Sequence, residues 1–347
     1  MKKIILLIST LNLVYGQVER PVCGTPSIPQ EQIEQIGLAV EEWSSQRDND
    51  RNEMKMIFVA WHIVHATNGQ GNYGDDVAYD AVAWLNETFA PHNFAFELDT
   101  ITRTENDQWF GNWYSDVFQG AAALNIDPFH NMNVYTADLY SVGVAGFSYL
   151  ANTFPAGDYR HSVNMDYRDL AYGNDVLTHE AGHHLGLPHT FSSSCNMDGD
   201  GVGDTPRHLD SQLWSCNDNL DSCPNDDGND RVHNYMTYTS SSCQYELTVG
   251  QEDYMHFCVD TYHYGYLENN FGAPNLYVDA LSFEEDTDED GILNPGEQMK
   301  LYVDVGNAYD YDADSITMVI SSENDYLFFI DNTIQLYESI GEIGRAH

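Results

Sequence analysis

Residues 178–190 read THEAGHHLGLPHT, and this stretch decides the fold that we expect for the chain. His179 and His183 stand four positions apart, so a helix presents both imidazoles on one face, where they can bind one cation. Glu180 lies beside them in the same helical turn. The stretch therefore predicts a metal-binding helix with a carboxylate next to the ion.

A third nitrogen ligand follows directly after this helix. Gly186 lets the chain leave the helix, and Pro188 prevents the helix from resuming, so the turn can bring His189 towards the same ion. Three neutral imidazoles with an open fourth position form the ligand set of a catalytic zinc ion. We therefore predict that His179, His183 and His189 bind zinc. Glu180 is then placed to act as general base on the zinc-bound water.

A second segment indicates which protein family the histidine motif resembles. Residues 234–238 read NYMTY, and Met236 follows His189 by 47 positions. Together with the extended histidine motif, this segment resembles the methionine-bearing turn of the metzincin zinc endopeptidases, in the form found in the ulilysin-type pappalysin family. Residues 82–89 with Trp109, the loop at 200–206, and four cysteines at 195–243 resemble the same family. The resemblance covers residues 20–265.

The resemblance implies an α+β fold: a metzincin domain of the zincin type, with a twisted mixed sheet, an active-site helix and an irregular C-terminal subdomain. It also implies that Met236 forms an apolar floor beneath the zinc and that Tyr238 stabilises the reaction's oxyanion. The alternative for Tyr238 is a buried aromatic side chain with no catalytic part. By the same resemblance, the cysteines pair as Cys195–Cys223 and Cys216–Cys243, although four cysteines alone allow three pairings.

Composition shifts divide the chain into four regions. The lysines and short apolar run of residues 1–16 predict a secretory signal peptide. Residues 17–54 form a propeptide-like segment, and residues 55–271 form the catalytic domain. Alternating apolar residues after Gly272 predict a small Ig-like β-sandwich over 276–347, too short to be complete.

Two acidic loops are candidate calcium sites. In the first, Asp200, Asp204 and Thr205 concentrate oxygen ligands in a glycine-rich loop, where the alternative is a solvated acidic turn. The second has the spacing of a twelve-residue calcium loop, with acids at its first, third, fifth and twelfth positions. Its alternative is a plain acidic hairpin, and its candidate ligands are Asp286, Asp288, Asp290 and Glu297.

Cys23 has two alternatives. In related precursors, a Cys-Gly pair near the N-terminus supplies a thiolate to the zinc, and soft-ligand chemistry allows Cys23 to do the same. Cleavage around Arg47 to Arg51 would then release the block. The other alternative is a third disulfide, between Cys23 and Cys258.

The composition restricts the partners. The chain has 347 residues, with 55 acidic against 13 basic side chains and a formal net charge of −42. Such a chain repels phosphate, so we expect no nucleic-acid partner. The acidity instead suits a salty exterior in which salt screens repulsion between acids. No stretch after the signal reaches transmembrane length, so we expect a secreted, extracellular protein.

We therefore expect a secreted zinc endopeptidase that acts on protein or peptide substrates. Substrate would lie extended along a sheet edge near residues 144–147. Residues 240–242 are serines where some relatives carry an acid that selects basic side chains. The alternative function is a catalytically silent, calcium-stabilised adhesin or binding module on the same fold.

Overall fold

A computed structural model of the chain describes residues 22–46, 54–197, 199–212, 214–226 and 228–268, and the backbone of five strands after residue 275. Contacts between Cα atoms divide the chain into two units, residues 1–269 and 270–347. The first unit contains five α-helices among its described residues: α1 Gln30–Gln46, α2 Asp75–Phe89, α3 Asp107–Leu124, α4 Val176–His184 and α5 Val249–Tyr262.

The described strands of the first unit are β1 Val22–Cys23, β2 Lys55–His65, β3 Phe94–Glu105, β4 Asn131–Ala137, β5 Val144–Phe147, β6 Ser162–Asp166, β7 Phe191–Ser192 and β8 His208–Leu209. Six of them form one sheet in the order β1-β5-β6-β4-β2-β3. Every neighbouring pair in it is parallel except β5 and β6, which are antiparallel. The structure thus confirms a mixed sheet, and it is mostly parallel.

Strand β2 explains why helices cover both faces of the sheet. Its eleven residues are almost all buried, as expected for a parallel strand between two layers. Side chains alternate between faces, so Trp61 joins the core beneath α2 and α4, while Val64 joins the core beneath α3. Helix α4, which carries the histidine motif, contacts β5 and β6 at one end of the sheet.

The N-terminal segment packs on the same unit. Strand β1 pairs in parallel with β5, so it forms the edge of the described sheet in place of β5. Helix α1 packs on α5, and its residues Ile33, Ile36 and Val40 are buried. Gly37 lies against Gly201, where a Cβ atom would stand 2.5 Å from the carbonyl oxygen. Residues 22–46 are therefore integrated into the first unit.

The second unit is described only as strands. They are β9 Leu276–Glu285, β10 Met299–Asn307, β11 Thr317–Val319, β12 Thr333–Gln335 and β13 Arg345–Ala346. An antiparallel sheet has the order β13-β10-β9, and β11 pairs with β12. These strands do not establish a β-sandwich, which stays a prediction. The predicted signal peptide, and the predicted calcium loop of Asp286, Asp288, Asp290 and Glu297, lie outside the described residues.

Candidate active site

The side chains of the histidine motif converge on one point. The Nε2 atoms of His179 and His183 are 3.0 Å apart, and each is 3.1 Å from Nε2 of His189. Gly186 makes the turn between His183 and His189. Its φ is +109°, a backbone conformation that residues with a side chain disfavour. A Cβ atom there would also stand 2.4 Å from Sγ of Cys258, so both the backbone angle and the space require glycine.

Backbone carbonyls fix how two of these imidazoles are protonated. Nδ1 of His179 donates to the carbonyl oxygen of Tyr235, and Nδ1 of His183 donates to that of Leu187, each over 2.6 Å. Because a carbonyl only accepts, Nδ1 carries the proton and Nε2 presents a lone pair. Burial lowers the pKa of His179 to about 4 and that of His183 well below its usual value, so both rings are neutral.

This arrangement fits a cation. Three nitrogens bound to one tetrahedral zinc ion at its usual bond lengths stand roughly 3.3 Å apart. The observed separations of 3.0–3.1 Å are close to that value. Neutral nitrogens with converging lone pairs stabilise one another only through a shared cation or proton. The donor set of His179, His183 and His189 therefore suits zinc.

Glu180 lies fully buried beside the histidines. Its Oε2 accepts a hydrogen bond from the hydroxyl of Thr25 over 3.0 Å, whereas Oε1 is unpartnered among the described residues. Burial raises the pKa of Glu180 to about 8 in the metal-free chain. Strand β5 passes directly over this side chain, since a Cβ atom on Gly146 would stand 2.7 Å from Cγ of Glu180. The carboxylate thus faces the path of any chain that adds to β5.

Cys23 joins the histidine cluster. Its Sγ and the ligand nitrogens of the three histidines all lie within 4.8 Å of one another. Cys23 and Cys258 are both free thiols in the structure, and Cys258 is buried against Gly186. The alternative of a Cys23–Cys258 disulfide is therefore not what the structure contains.

Met236 and Tyr238 both lie close to the cluster. Met236 is fully buried, and a Cβ atom on Gly182 of α4 would stand 2.5 Å from its Sδ. The ring of Tyr238 is 5.7 Å from the ring of His179, and its hydroxyl donates to the carbonyl oxygen of Cys23 over 3.3 Å. Tyr238 therefore already donates to a peptide carbonyl beside the histidines.

Comparison with known proteins agrees with this geometry. Residues 116–260 match the family model described as pregnancy-associated plasma protein-A. An extracellular metalloprotease of Verticillium alfalfae is 34% identical over 219 residues, which are 59% of this chain and 76% of that protein. One of Colletotrichum graminicola is 30% identical over 269 residues, which are 72% and 94%. The chain belongs to the pappalysin family of metalloproteases.

Solved structures agree on the fold of this pappalysin. A promirolysin mutant of Tannerella forsythia matches with a TM-score of 0.56 and 21% identity, over 71% of this chain and 96% of that one. Mature mirolysin with a cleaved peptide matches with a TM-score of 0.53 and 21% identity, over 62% and 96%. The family model and the named extracellular metalloproteases identify the pappalysin as a metalloendopeptidase with a catalytic metal and peptide substrates. No helix in the described part of the chain is long and apolar enough to cross a membrane.

The irregular subdomain of the pappalysin carries two disulfides. They join Cys195 to Cys223 and Cys216 to Cys243, the pairs that the family resemblance implied. His233 groups with Cys216 and Cys243, but a sulfur in a disulfide is not the thiolate that binds a metal. Within the described ranges, the cluster of Cys23 with the three histidines is therefore the one suited to a catalytic metal.

The first candidate calcium loop is built around buried hydrogen bonds. Oδ1 of Asp200 accepts from the hydroxyl of Thr205 over 2.7 Å, while Oδ2 is unpartnered among the described residues. Both carboxylate oxygens of Asp204 accept from the start of α5: from Oγ1 of Thr248 over 2.7 Å and from the amide of Gly250 over 2.9 Å. Asp200 and Asp204 belong to neither cluster of converging ligands found in the described chain. Asp204 therefore holds the start of α5 against this loop.

Sequence reasoning missed two polar side chains of the site: Asp175, which lines the cleft, and Thr25, which contacts Glu180. The cleft has a volume of about 290 Å³, and Asp175 lines it just before α4. Its Oδ1 accepts from Nε1 of Trp84 over 3.0 Å, Oδ2 is unpartnered in the described chain, and burial raises its pKa to about 7. The sequence signal was an acid immediately before the zinc helix. For Thr25, the signal was a hydroxyl two positions after Cys23.

Proposed function

We propose that this pappalysin is a secreted, zinc-dependent endopeptidase in which His179, His183 and His189 hold the zinc and Glu180 acts as general base. One observation carries the proposal. The three Nε2 atoms converge to 3.0–3.1 Å with their lone pairs directed at a common point, next to a buried carboxylate. Bound zinc supplies a Lewis acid that makes water nucleophilic near neutral pH.

Glu180 handles the proton in this proposal. Its Oε2, which now accepts from Thr25, takes a proton from the attacking water and later delivers it to the nitrogen of the leaving amine. The peptide C–N bond breaks as that proton is transferred. A cation on the histidines lowers the pKa of Glu180 from its metal-free value, because a nearby positive charge favours the ionised form.

Tyr238 stabilises the charge that develops on the carbonyl oxygen. Its hydroxyl donates to the carbonyl oxygen of Cys23 over 3.3 Å, so it already reaches a peptide oxygen beside the histidines. A donor directed at the developing oxyanion lowers the barrier more than it stabilises the bound substrate. Met236 contributes the apolar floor on which the helix with His179 and His183 rests.

Substrate adds to β5 once β1 has left. The carbonyl oxygens of Gly143 and Gly146 accept from the amides of Val22 and Gly24 over 3.1 and 2.8 Å, so the backbone of β5 already binds an extended segment. Main-chain hydrogen bonds of this kind bind extended peptides with little regard to sequence. β5 is therefore the proposed substrate strand.

Cys23 would hold the enzyme latent by offering its thiolate to the zinc beside the three histidines. The support is the proximity of its thiol to all three histidines. A thiolate in the open position excludes the water that hydrolysis requires. Residues 17–54 are then a propeptide, and residues 55–271 the catalytic domain.

The remaining assignments complete the proposal. The buried carboxylate oxygen of Asp200 supports a structural calcium ion held by Asp200, Asp204 and Thr205, since hard oxygens suit calcium. A second calcium would bind the loop at Asp286, Asp288, Asp290 and Glu297. The extracellular metalloproteases to which the chain is similar support export after removal of residues 1–16. An Ig-like β-sandwich would follow over 276–347.

Chelation tests the proposed function. The activated protein is dialysed against a zinc chelator and assayed on a peptide library before and after zinc is restored, beside Glu180→Ala. We expect chelation to abolish cleavage, zinc to restore it, and Glu180→Ala to stay inactive. Cleavage that survives chelation, or wild type and Glu180→Ala that behave alike, would favour the silent binding module instead.

A further inference from the structure

The N-terminal segment, residues 22–46, holds the catalytic unit at two separate places. Residues 22–25, which we call the cleft strand, lie along β5 beside the histidines. Helix α1 packs away from the cleft, on α5 and on the loop that contains Gly201. The two parts therefore contact different surfaces of the catalytic unit.

Thr25 makes the most specific contact of the cleft strand. Its Oγ1 donates to Oε2 of Glu180 over 3.0 Å and accepts from the amide of Ser148 over 2.9 Å. A hydroxyl has a single proton, and here it is directed at the proposed general base. The amide of Thr25 donates to Sγ of Cys23 over 3.3 Å, whereas the bond from its hydroxyl to Glu180 does not pass through the sulfur. Thr25 therefore occupies Glu180 by a bond that remains when the thiol is removed.

Helix α1 supplies the second attachment. Ile33, Ile36 and Val40 are each only 7% exposed, so the helix buries a continuous apolar face. Near its C-terminal end, Oγ of Ser44 donates to Asp253 of α5 over 2.8 Å, and the ring of Trp43 meets that of Phe257 edge-on. None of these contacts depends on an intact chain between residue 46 and the start of β2.

The two attachments are joined by residues 26–29 alone. A short link keeps the second site at a high effective concentration once the first is bound, which strengthens binding by roughly 10²- to 10⁴-fold. The cleft strand on its own has only a few hydrogen bonds and the thiol. It therefore depends on α1 to stay in the cleft.

We propose that residues 22–46 form a two-part inhibitor in which α1 keeps Thr25 on Glu180 even after the chain is cut within residues 47–53. The inference rests on the proposed function, since it takes Glu180 as the base. It changes the sequence expectation, in which cleavage near Arg47 to Arg51 releases the block. Activation then requires a second cut, between the cleft strand and α1, or active removal of α1.

Two full-length proteins test the first half of the proposal. In one, a seven-residue recognition sequence of a site-specific protease replaces residues 47–53. In the other, the same sequence is also inserted between Pro26 and Ser27, which are exposed. After the single cut, we expect the N-terminal piece to co-elute with the remainder and activity to stay roughly 10²-fold below that after both cuts. A singly cut protein that loses the piece and is fully active would overturn the proposal.

Thr25 is tested in the singly cut protein by the dissociation rate of the N-terminal piece. We expect Thr25→Val, which removes the hydroxyl, to speed dissociation about 10- to 100-fold, and Thr25→Ser to stay within about threefold of wild type. In a Glu180→Ala background, the effect of Thr25→Val should shrink to less than about threefold. An equal effect in both backgrounds would mean that Thr25 does not act on Glu180.

The buried face of α1 has its own control. Ile36→Asp should release the piece after the single cut, whereas Leu38→Asp should not, because Leu38 is 66% exposed on the same helix. Dissociation needs no catalysis, so these rates remain informative for an inactive protein. If the doubly cut protein, freed of both pieces and supplied with zinc, cleaves no peptide, the proposed function fails while the two-part inhibitor is still tested.

Discussion

Met236 packs against Gly182 so closely that a Cβ atom on Gly182 would stand 2.5 Å from the methionine sulfur. Gly182 lies on α4 between His179 and His183, so the contact joins the histidine helix to the turn that carries Tyr238. The absence of a side chain at one position thus lets two parts of the site approach each other.

Gly182→Ala should force these parts away from each other. Overpacking a buried contact costs about 1–3 kcal/mol, so we expect a lower free energy of unfolding in denaturant titration. Gly111→Ala on α3 is the matched control, because a Cβ atom on Gly111 would have no neighbouring atom within 4 Å. A mid-helix alanine stabilises by about 0.5–1 kcal/mol relative to glycine, so the control should be neutral or better. Equal results for the two variants would contradict close packing at Met236.

Tyr238→Phe removes the donor proposed for the oxyanion and leaves the ring in place. Loss of one such donor lowers kcat roughly 10²- to 10³-fold. We expect that loss in the activated enzyme at unchanged zinc content, measured by steady-state kinetics and elemental analysis. Tyr79→Phe, at a side chain 60% exposed, serves as the control. A kcat within about threefold of wild type would assign Tyr238 to packing alone.

Cys23→Ser tests the thiol in the uncut precursor. We expect measurable peptidase activity, because a hydroxyl is a poorer zinc ligand than a thiolate. Activity should rise further in the double variant Cys23→Ser, Thr25→Val, since the hydrogen bond to Glu180 is also lost. Cys258→Ala removes the other free thiol and should leave the precursor silent. If Cys23→Ser leaves the precursor silent and the double variant is no more active than Thr25→Val alone, the thiol takes no part in the block.

Asp200 gives a prediction about pH and calcium. Burial raises the pKa of Asp200 from its usual value to about 7. Between about pH 4 and 7 the folded chain therefore keeps a proton that the unfolded chain releases, so this group's contribution to stability falls as pH rises. In calcium-free buffer, Asp200→Asn should gain stability over wild type across that window, by at most about 1.4 kcal/mol for each pH unit.

Added calcium should reverse that order. Millimolar calcium at pH 7.5 should raise the Tm of wild type and leave that of Asp200→Asn unchanged, because the variant loses a charged ligand. Thermal unfolding of both proteins with and without calcium measures this. An equal rise in Tm for both would mean that calcium binds elsewhere.

Local spacing made the histidine helix predictable. His179 and His183 are one helical turn apart, and Gly186 with Pro188 ends the helix, so no distant part of the chain is needed to infer it. Helix α3 was not predicted, although Phe110, Trp113 and Val117 follow a helical period and are buried. Its glycines and polar residues weakened the pattern.

Other features depend on contacts that only the folded chain creates. In strand β6, polar and apolar residues alternate, a pattern that suits a strand with one solvated face. Asn164 is nevertheless buried, and its Oδ1 accepts a hydrogen bond from Nε1 of Trp113 over 2.8 Å. The bond from Thr25 to Glu180 spans 155 positions of sequence. Such a pairing follows from the parallel addition of β1 to β5, and no local pattern encodes it.

The most direct test of the account compares Glu180→Gln with wild type after full activation. Glutamine keeps the shape of the side chain but has no carboxylate to take a proton. We expect one zinc per chain in both proteins by elemental analysis, and kcat/KM for peptide hydrolysis at least about 10²-fold lower in the variant. Equal kcat/KM in the two proteins, or a wild type that is active without zinc, would contradict the account.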